Sequence, residues 1–399
     1  MKKISTTVLL LCLVGSTMYA QPKLSKSDMV KLDLTILAAS KEKIKAKDGV
    51  ACTAYKQLIK EADEALNYQP VSVMEKTEFP PSGDKHDYMS IAPYWWPDPS
   101  KPNGVPYMRK DGEINPEVKN FPDKVNMPKL CENVYNLALA YYFSDDEKYA
   151  AHASKLLKAW FLDTATKMNP NLKFGQSIKG RNDGRAEGLI DTRYFIYFID
   201  AVDVLKNSKH WSAQDQTNMQ KWVTEFLNWM QTSDIGKEEM AAKNNHAVWY
   251  DAQALSLALY IGNTKLANEI VLSAADRLDN QLDENGFFPK EMQRTTSFHY
   301  TVFIVNAFGI IAQLSENTNT NFWTWESKSG KSLKKAFDTL LPYISKEKEW
   351  TGNQIKEFKF GDAFPILLRG ATKFNCSNCK ELIKKIAGEK YEGLLLNLL

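Results

Sequence analysis

The chain has 399 residues, a length that allows one large domain or two to three smaller ones. Hydrophobic residues make up 44% of the chain and charged residues 25%, as in ordinary globular proteins. The formal net charge of +3 is too small to indicate a nucleic-acid-binding protein, so no nucleic-acid partner is expected.

The first 20 residues have the layout of a secretory signal peptide. Two lysines precede an apolar stretch (residues 8–14), and small residues lead to a cleavage point after Ala20. The stretch is too short to span a bilayer, and we expect no membrane span later in the chain. Cys12 comes early and follows no small residue, so a lipoprotein anchor is not expected. We expect a periplasmic or secreted protein whose mature part, residues 21–399, forms a single domain.

Helical periodicity dominates the rest of the chain, and strand signals are sparse. The candidate helices cover residues 28–46, 50–67, 127–143, 146–163, 187–206, 212–232, 245–262, 264–283, 298–315 and 331–346. Short polar breaks, such as Ser144-Asp145-Asp146 and Gly262-Asn263-Thr264, join neighbouring helices into hairpins. Consecutive helical hairpins without a parallel-sheet pattern predict an all-α fold, an (α/α) toroid or barrel. We expect the protein to be a monomer.

One long segment, residues 70–123, interrupts this pattern and is rich in Pro, Gly and aromatic residues. A loop of this length inside a compact domain is usually functional or disordered, and the density of aromatic side chains argues against disorder. We predict an ordered lid or groove wall. Within it, Tyr94, Trp95 and Trp96 either stack on sugar rings or are buried between the loop and the toroid.

Two polar clusters fall at predicted helix ends. Asn244 is suited to capping a helix that begins with Asn245 and His246, where the helix dipole favours an anion. Between two later helices, Arg294 and Tyr300 lie within seven positions of each other. Each cluster is compatible either with helix capping and packing or with a functional site.

Further candidates for substrate binding lie near these clusters. The Gly-rich stretch 180–188 contains Arg181 and Arg185, and Gln176 precedes it. The two arginines would bind neighbouring carboxylates or, alternatively, pair with acidic residues at the surface. His299, next to Tyr300, is a further candidate for the groove.

Side chains of Asn, His, Arg and Tyr, without a predicted metal or cofactor site, suit elimination from a 4-O-linked uronate. Such an enzyme must neutralise the carboxylate, remove the C5 proton and protonate the departing O4 oxygen. Asn and Arg donors can neutralise the carboxylate, His or Tyr can act as base, and Tyr can act as acid. A tyrosine base would need a nearby cation because its ordinary pKa is near 10.

These motifs together resemble the alginate lyase superfamily with the (α/α) toroid fold, including exported members from Bacteroidetes-type bacteria. The resemblance covers most of residues 80–370. The matching motifs are Asp87-Tyr88…Pro93-Tyr94-Trp95-Trp96-Pro97, Asn169-Pro170-Asn171…Gly184-Arg185, Asn244-Asn245-His246, Arg294 and Tyr300.

The resemblance implies a polysaccharide lyase that acts on an acidic polysaccharide, most simply alginate, without a cofactor or metal. It implies that Asn245 and Arg294 neutralise the carboxylate, that His246 acts as base or neutraliser, and that Tyr300 acts as base and acid. Where the best-known branch has Ser-Tyr-Trp after Asn-Asn-His, this chain has Ala247-Val248-Trp249, which leaves the preferred uronate open.

Three alternatives remain at this stage. The first is a lyase for glucuronan or another uronate polysaccharide. The second is an (α/α)-barrel glycoside hydrolase acting on oligouronides, which would need two carboxylates among residues such as Asp191, Asp251 and Glu291. The third is a glycan-binding protein without catalysis.

Cys376 and Cys379 are predicted to form a local disulfide or to remain free thiols, because no second ligand pair supports a zinc site.

Overall fold

The computed structural model describes residues 31–399, so the predicted signal peptide lies outside the described residues. Fourteen α-helices are described, and they are α1 Leu34–Lys45, α2 Gly49–Ala65, α3 Pro122–Ser144, α4 Glu147–Leu157, α5 Phe195–Leu205, α6 Ala213–Thr232, α7 Asp234–Met240, α8 Asn245–Tyr260, α9 Thr264–Gln281, α10 Pro289–Met292, α11 Ser297–Ser315, α12 Leu333–Ile344, α13 Phe364–Lys373 and α14 Cys379–Ala387. Four short strands accompany them, β1 Met89–Ile91, β2 Trp95–Trp96, β3 Met108–Arg109 and β4 Phe174–Ser177. The all-α prediction is confirmed.

Each of the ten predicted helices has an observed counterpart, although several ends differ. Helix α3 begins at Pro122, five residues before the predicted start, because proline is well suited to the first helical position. The segment predicted at 187–206 begins as a 3₁₀ helix, Ala186–Tyr194, before α5 continues it. Helices α7, α10, α13 and α14 were not predicted. They are short, with 4 to 10 residues each, and periodicity is weak over such lengths.

The helices pack as consecutive hairpins around a central set. Helices α3, α5, α8 and α11 contact one another in that order, and α2, α4, α6, α9 and α12 pack against members of this set. At the end of the chain, α13 contacts α11 and α14, and the 3₁₀ turn Gly388–Gly393 packs on α2. The last helices therefore lie beside the first hairpin.

A large aromatic cluster lies between α5, α6 and the helical turn Lys158–Leu162 that continues α4. The ring of Phe161 stacks on Phe198 at 4.8 Å and meets Trp222 edge-on at 4.8 Å, while Phe195 contacts all three. Phe161, Phe195 and Phe198 are at most 1% exposed. Burial of each such side chain contributes about 1.5–3 kcal/mol, so the cluster is a main source of stability here.

The aromatic-rich segment is ordered and attached to the helices by paired strands and buried polar groups. Strand β1 pairs with β4 in parallel, and β2 pairs with β3 as an antiparallel hairpin. The buried ammonium of Lys76 lies 3.0 Å from the Asp123 carboxylate. The Asp87 carboxylate accepts hydrogen bonds from Asn169 and Asn171. These contacts fix the segment against α3 and the loop before β4.

Helix α11 and the four cysteines of the described residues can be compared with the sequence predictions. Within residues 31–399, helix α11 has the length and composition of a bilayer span, but 78% of its apolar window is buried inside the protein. Cys376 and Cys379 form a disulfide, which decides between the two predicted states of this pair. Cys52 and Cys131 are free, and Cys131 is buried.

Candidate active site

A cleft with a volume of about 720 Å³ lies where the N-terminal ends of α8 and α11 meet the aromatic-rich segment. Nine of the eleven predicted site residues line it, namely Tyr94, Trp95, Gln176, Arg185, Asn245, His246, Arg294, His299 and Tyr300. Trp96 and Arg181 do not line it. Further lining side chains that were not predicted include Arg109, Lys124, Arg193, Glu187, Glu238 and Glu239.

Asn245 lies in the first turn of α8, and Asn244 caps that helix by accepting a hydrogen bond from the His246 backbone N–H at 3.2 Å. Asn245 has no exposed surface. Its backbone N–H and its Nδ2 donate to the two carboxylate oxygens of Glu291, at 2.7 and 2.8 Å. Burial raises the pKa of Glu291, although these donors oppose the shift. The amide is thus held in one place on the cleft wall.

His246 is oriented by a buried carboxylate from α7. Its Nδ1 lies 2.7 Å from Glu239 Oε1, and only 2% of the Glu239 side chain is exposed. Burial alone would lower the pKa of His246, but the charge of Glu239 and its hydrogen bond raise it above the ordinary value. The proton on Nδ1 is therefore held by Glu239, and His246 keeps its positive charge to a higher pH than a free histidine.

Arg294 connects the helical part of the protein with the aromatic-rich segment. Its Nε and Nη2 donate to the Asp111 carboxylate, with a shortest distance of 2.7 Å. Burial opposes ionisation of Asp111, but Arg294 lowers its pKa to about 2. The guanidinium carbon of Arg294 also lies 3.6 Å from the centre of the Tyr300 ring.

Tyr300 has a second tyrosine as its partner. Its hydroxyl donates to the hydroxyl of Tyr94 at 2.9 Å, and Tyr300 is 8% exposed. Burial raises the pKa of Tyr300 well above its ordinary value, the neighbouring Tyr94 adds to this shift, and the cation of Arg294 opposes it. The phenol is therefore neutral and can donate a proton.

Gln176 belongs to a buried hydrogen-bond network. Its backbone has a φ of 50°, an uncommon value for a residue other than glycine. Its Nε2 donates to Asp191, which is also bonded to Lys124, while its Oε1 accepts from Arg185 Nη2 at 2.9 Å. Arg185 additionally pairs with Glu187 at 2.9 Å. The network fixes both Gln176 and Arg185 on the cleft wall.

The family model for alginate lyases, described as "Alginate lyase", matches residues 72–350. The chain belongs to the alginate lyase family. It is a polysaccharide lyase. No curated protein sequence matches this chain.

Among solved structures, one described as an alginate lyase from Bacteroides ovatus is 39% identical, with a TM-score of 0.88. That similarity covers 93% of this chain and 98% of the other. Alginate lyase A1-III from a Sphingomonas species is 14% identical, with a TM-score of 0.53 over 88% of this chain and 92% of the other. This second likeness concerns the fold alone. Together they confirm the predicted (α/α) toroid for the lyase.

Three predicted binding residues take different positions around the cleft of the lyase. The guanidinium of Arg181 lies 4.8 Å from the ring centre of Trp95, so it supports that ring from outside the cleft. Trp96 is the neighbour of Trp95 in β2, and its indole N–H donates to the Glu113 carbonyl. His299 is about half exposed and lies parallel to the ring of Phe303.

The carboxylates considered for a hydrolase are all engaged by other side chains of the lyase. Asp191 bonds to Lys124, Asp251 pairs with Arg277 at 2.7 Å, and Glu291 holds Asn245. Of these three, none lines the cleft. Within residues 31–399, no group of three or more His, Cys, Asp and Glu side chains is arranged to hold a metal ion.

Sequence reasoning missed the partner carboxylates Glu239 and Asp111 and the cleft cations Arg193 and Lys124. Glu239 lies seven positions before His246, so an acidic residue close to a candidate histidine was an available signal. Asp111 is 183 positions from Arg294 and becomes its neighbour only through the fold. No local pattern identifies such a pair.

Proposed function

We propose that this lyase cleaves alginate by metal-independent β-elimination. Asn245, His246 and Arg294 neutralise the uronate carboxylate, and Tyr300 serves as base and acid. The observation that carries the proposal is that these four side chains line one cleft in a member of the alginate lyase family. The 39% identity to a structure described as an alginate lyase supports alginate over other uronate polymers.

Neutralisation of the carboxylate makes the C5 proton acidic. The charged His246, with Nδ1 held by Glu239, has its Nε2–H available for the substrate. Arg294 uses Nε and Nη2 on Asp111 and retains Nη1 for a further acceptor. Two cations beside one carboxylate stabilise the negative charge that develops as the C5 proton leaves.

Tyr300 then transfers the proton. As a phenolate it would take the C5 proton, the C4–O4 bond would break as the C4–C5 double bond forms, and the phenol would protonate O4. Ionisation of Tyr300 needs a nearby positive charge because burial raises the pKa of its phenol. The guanidinium of Arg294, stacked on the Tyr300 ring, supplies the positive charge that favours the phenolate.

Substrate binding is assigned to residues around this centre. Tyr94 and Trp95 offer aromatic faces for sugar rings, and Gln176, Arg185 and His299 offer polar contacts to neighbouring residues of the polymer. We propose that the aromatic-rich segment, residues 70–123, acts as a lid or groove wall over this surface. Arg181 supports this segment by stacking on the Trp95 ring, and Trp96 stabilises it through the hydrogen bond from its indole N–H to the Glu113 carbonyl.

The test of the proposed reaction is ultraviolet absorbance over time with a substrate panel and EDTA present. The panel contains polymannuronate, polyguluronate, glucuronan, pectate and glycosaminoglycans. A rise with either alginate block reports the new C4–C5 double bond and identifies the uronate. A rise only with glucuronan or pectate would move the substrate away from alginate, and new reducing ends without absorbance would contradict elimination.

We further propose that residues 21–399 act as a single catalytic domain exported by the N-terminal signal peptide. Ala20 is the expected end of that peptide. Cell fractionation followed by N-terminal sequencing tests this. A mature protein that begins at residue 21 in the periplasm or medium is expected, whereas an uncleaved cytoplasmic protein would contradict export.

A further inference from the structure

The orientation of the Asn245 amide conflicts with its proposed role. Asn245 and Glu291 are both 0% exposed, in contact through the two hydrogen bonds described above. The Asn245 Oδ1 is buried, and no donor among residues 31–399 reaches it. In this orientation the unpartnered group of the amide is an acceptor. A substrate carboxylate needs a donor instead.

Exchange of the amide oxygen and nitrogen removes this conflict if Glu291 carries a proton. The two orientations of an asparagine amide have the same shape and are distinguished only by their hydrogen bonds. A neutral Glu291 can accept from the Asn245 backbone N–H at Oε1 and donate from Oε2 to Oδ1. The amide NH₂ then takes the place of the unpartnered oxygen and offers a donor to the cleft.

We propose that Glu291, as a neutral carboxylic acid, is a positioning residue that turns the amide donor of Asn245 toward the substrate carboxylate. The inference rests on the proposed elimination, in which Asn245 neutralises that carboxylate. An ionised Glu291 would accept both N–H groups and present the amide oxygen, which repels a carboxylate. The proton on Glu291 thus controls whether the site attracts or repels its substrate.

The surroundings of Glu291 agree with a neutral acid. Burial raises its pKa, because a charged carboxylate without water is unfavourable. The charged groups that face it are Arg294, in the loop after α10, and His246, in α8, and both oppose the shift. The acid is therefore neutral at low pH and ionises as pH rises through the raised pKa.

The test compares Glu291→Gln with Glu291→Ala on the polyuronate that the wild type cleaves. Glutamine reproduces the neutral acid, since its carbonyl accepts from the backbone N–H and its NH₂ donates to Asn245 Oδ1. Glu291→Ala should lower kcat/KM by about 100-fold, as loss of one aligned donor does. Glu291→Gln should restore most of this loss. In an Asn245→Ala background, the additional change Glu291→Ala should lower kcat/KM only slightly further, because Glu291 acts through the Asn245 amide.

Infrared difference spectra of wild type and Glu291→Gln test the proton without any substrate. A protonated-carboxyl band that is absent from the variant is expected at the pH of activity. Over the pH range in which that band disappears, the ratio of Glu291→Gln to wild-type kcat/KM should rise. Both proteins contain His246 and Tyr300, so the effects of these shared titrations on kcat/KM cancel in the ratio.

The outcomes separate this inference from the proposed function. A Gln variant as inactive as the Ala variant, a missing band, or a flat ratio while the band disappears would each overturn the role of Glu291. Circular dichroism of each variant identifies a loss that is due to misfolding. A wild type that cleaves no uronate polymer would instead overturn the elimination itself, while the infrared result still reports the state of Glu291.

Discussion

His246 illustrates how one buried neighbour sets the chemistry of a cleft residue. Its imidazole contacts Glu239 through Nδ1, and this contact fixes both the ring orientation and the position of the proton. The same neighbour raises the pKa of His246. The charged form is therefore fully present at low pH and is lost only as pH rises through that raised pKa. This favours His246 as a neutraliser over a base.

We predict that Glu239→Gln lowers the pKa of His246, because the attraction to a carboxylate is lost while the size of the side chain is retained. NMR titration of the histidine ring protons measures this directly in a chain with 5 histidines. Glu238→Gln is the matched control, since Glu238 also lines the cleft but is exposed. A pKa of His246 that is equal in the wild type and in Glu239→Gln would contradict the assigned role of Glu239.

The β2–β3 hairpin is connected to the helical part of the protein through Asp111, which lies just after β3. This carboxylate accepts from Arg294 and from the hydroxyl of Thr295 at 3.1 Å. The pKa of Asp111 is about 2, below the ordinary value of about 4. The contribution of this contact to stability is therefore complete above about pH 4 and is lost as pH falls toward 2.

We predict that Asp111→Ala loosens the hairpin and weakens substrate binding. Hydrogen exchange should become faster in residues 94–112, and KM should rise roughly tenfold as the wall of the cleft becomes mobile. The cost in stability should be about 1–2 kcal/mol because the pair is only partly buried. Glu113→Ala, an exposed change in the same segment, is the control. Unchanged exchange in Asp111→Ala would show that the hairpin is held by other contacts.

The long helices could be predicted from sequence because apolar periodicity over 15 to 20 residues is a strong signal. The short helices α7 and α10 could not, although they carry Glu239 and Glu291. The four residues with predicted catalytic roles, including Asn245 and Tyr300, could be proposed from the sequence because they occur in a recognisable order in or just before the first turns of two helices. Their partner carboxylates depend on contacts between elements, which no spacing along the chain displays.

Positive charge in the folded protein is concentrated where the polymer is proposed to bind. The net charge is only +3, yet the cleft is lined by five lysine and arginine side chains and the charged His246 against three glutamates; the five are Arg109, Lys124, Arg185, Arg193 and Arg294. Arg193 donates to the Ile190 carbonyl and the Tyr194 hydroxyl, which are both uncharged. Arg185 and Arg294 contact carboxylates, which offset part of their positive charge. The positive charge of Arg193 is therefore more available to an anionic ligand.

We predict that binding of the polyanion is sensitive to salt. Raising ionic strength from about 0.05 to about 0.5 M should increase KM by roughly three- to tenfold with a smaller change in kcat. Arg193→Gln should raise KM at low salt and reduce this dependence. Lys265→Gln, at an exposed position of α9 outside the cleft, should do neither. A KM that is independent of salt in the wild type would contradict electrostatic attraction by the cleft.

The proposed elimination is decided by the ultraviolet assay with Tyr300→Phe beside the wild type. The proposal predicts that the wild type forms an unsaturated product from alginate and that Tyr300→Phe, while folded, loses about 10²- to 10⁴-fold in kcat. Tyr343→Phe, outside the cleft, controls for the change of residue type. A Tyr300→Phe variant with wild-type kcat would contradict the assignment of the acid and base, and a wild type that forms no unsaturated product would contradict elimination.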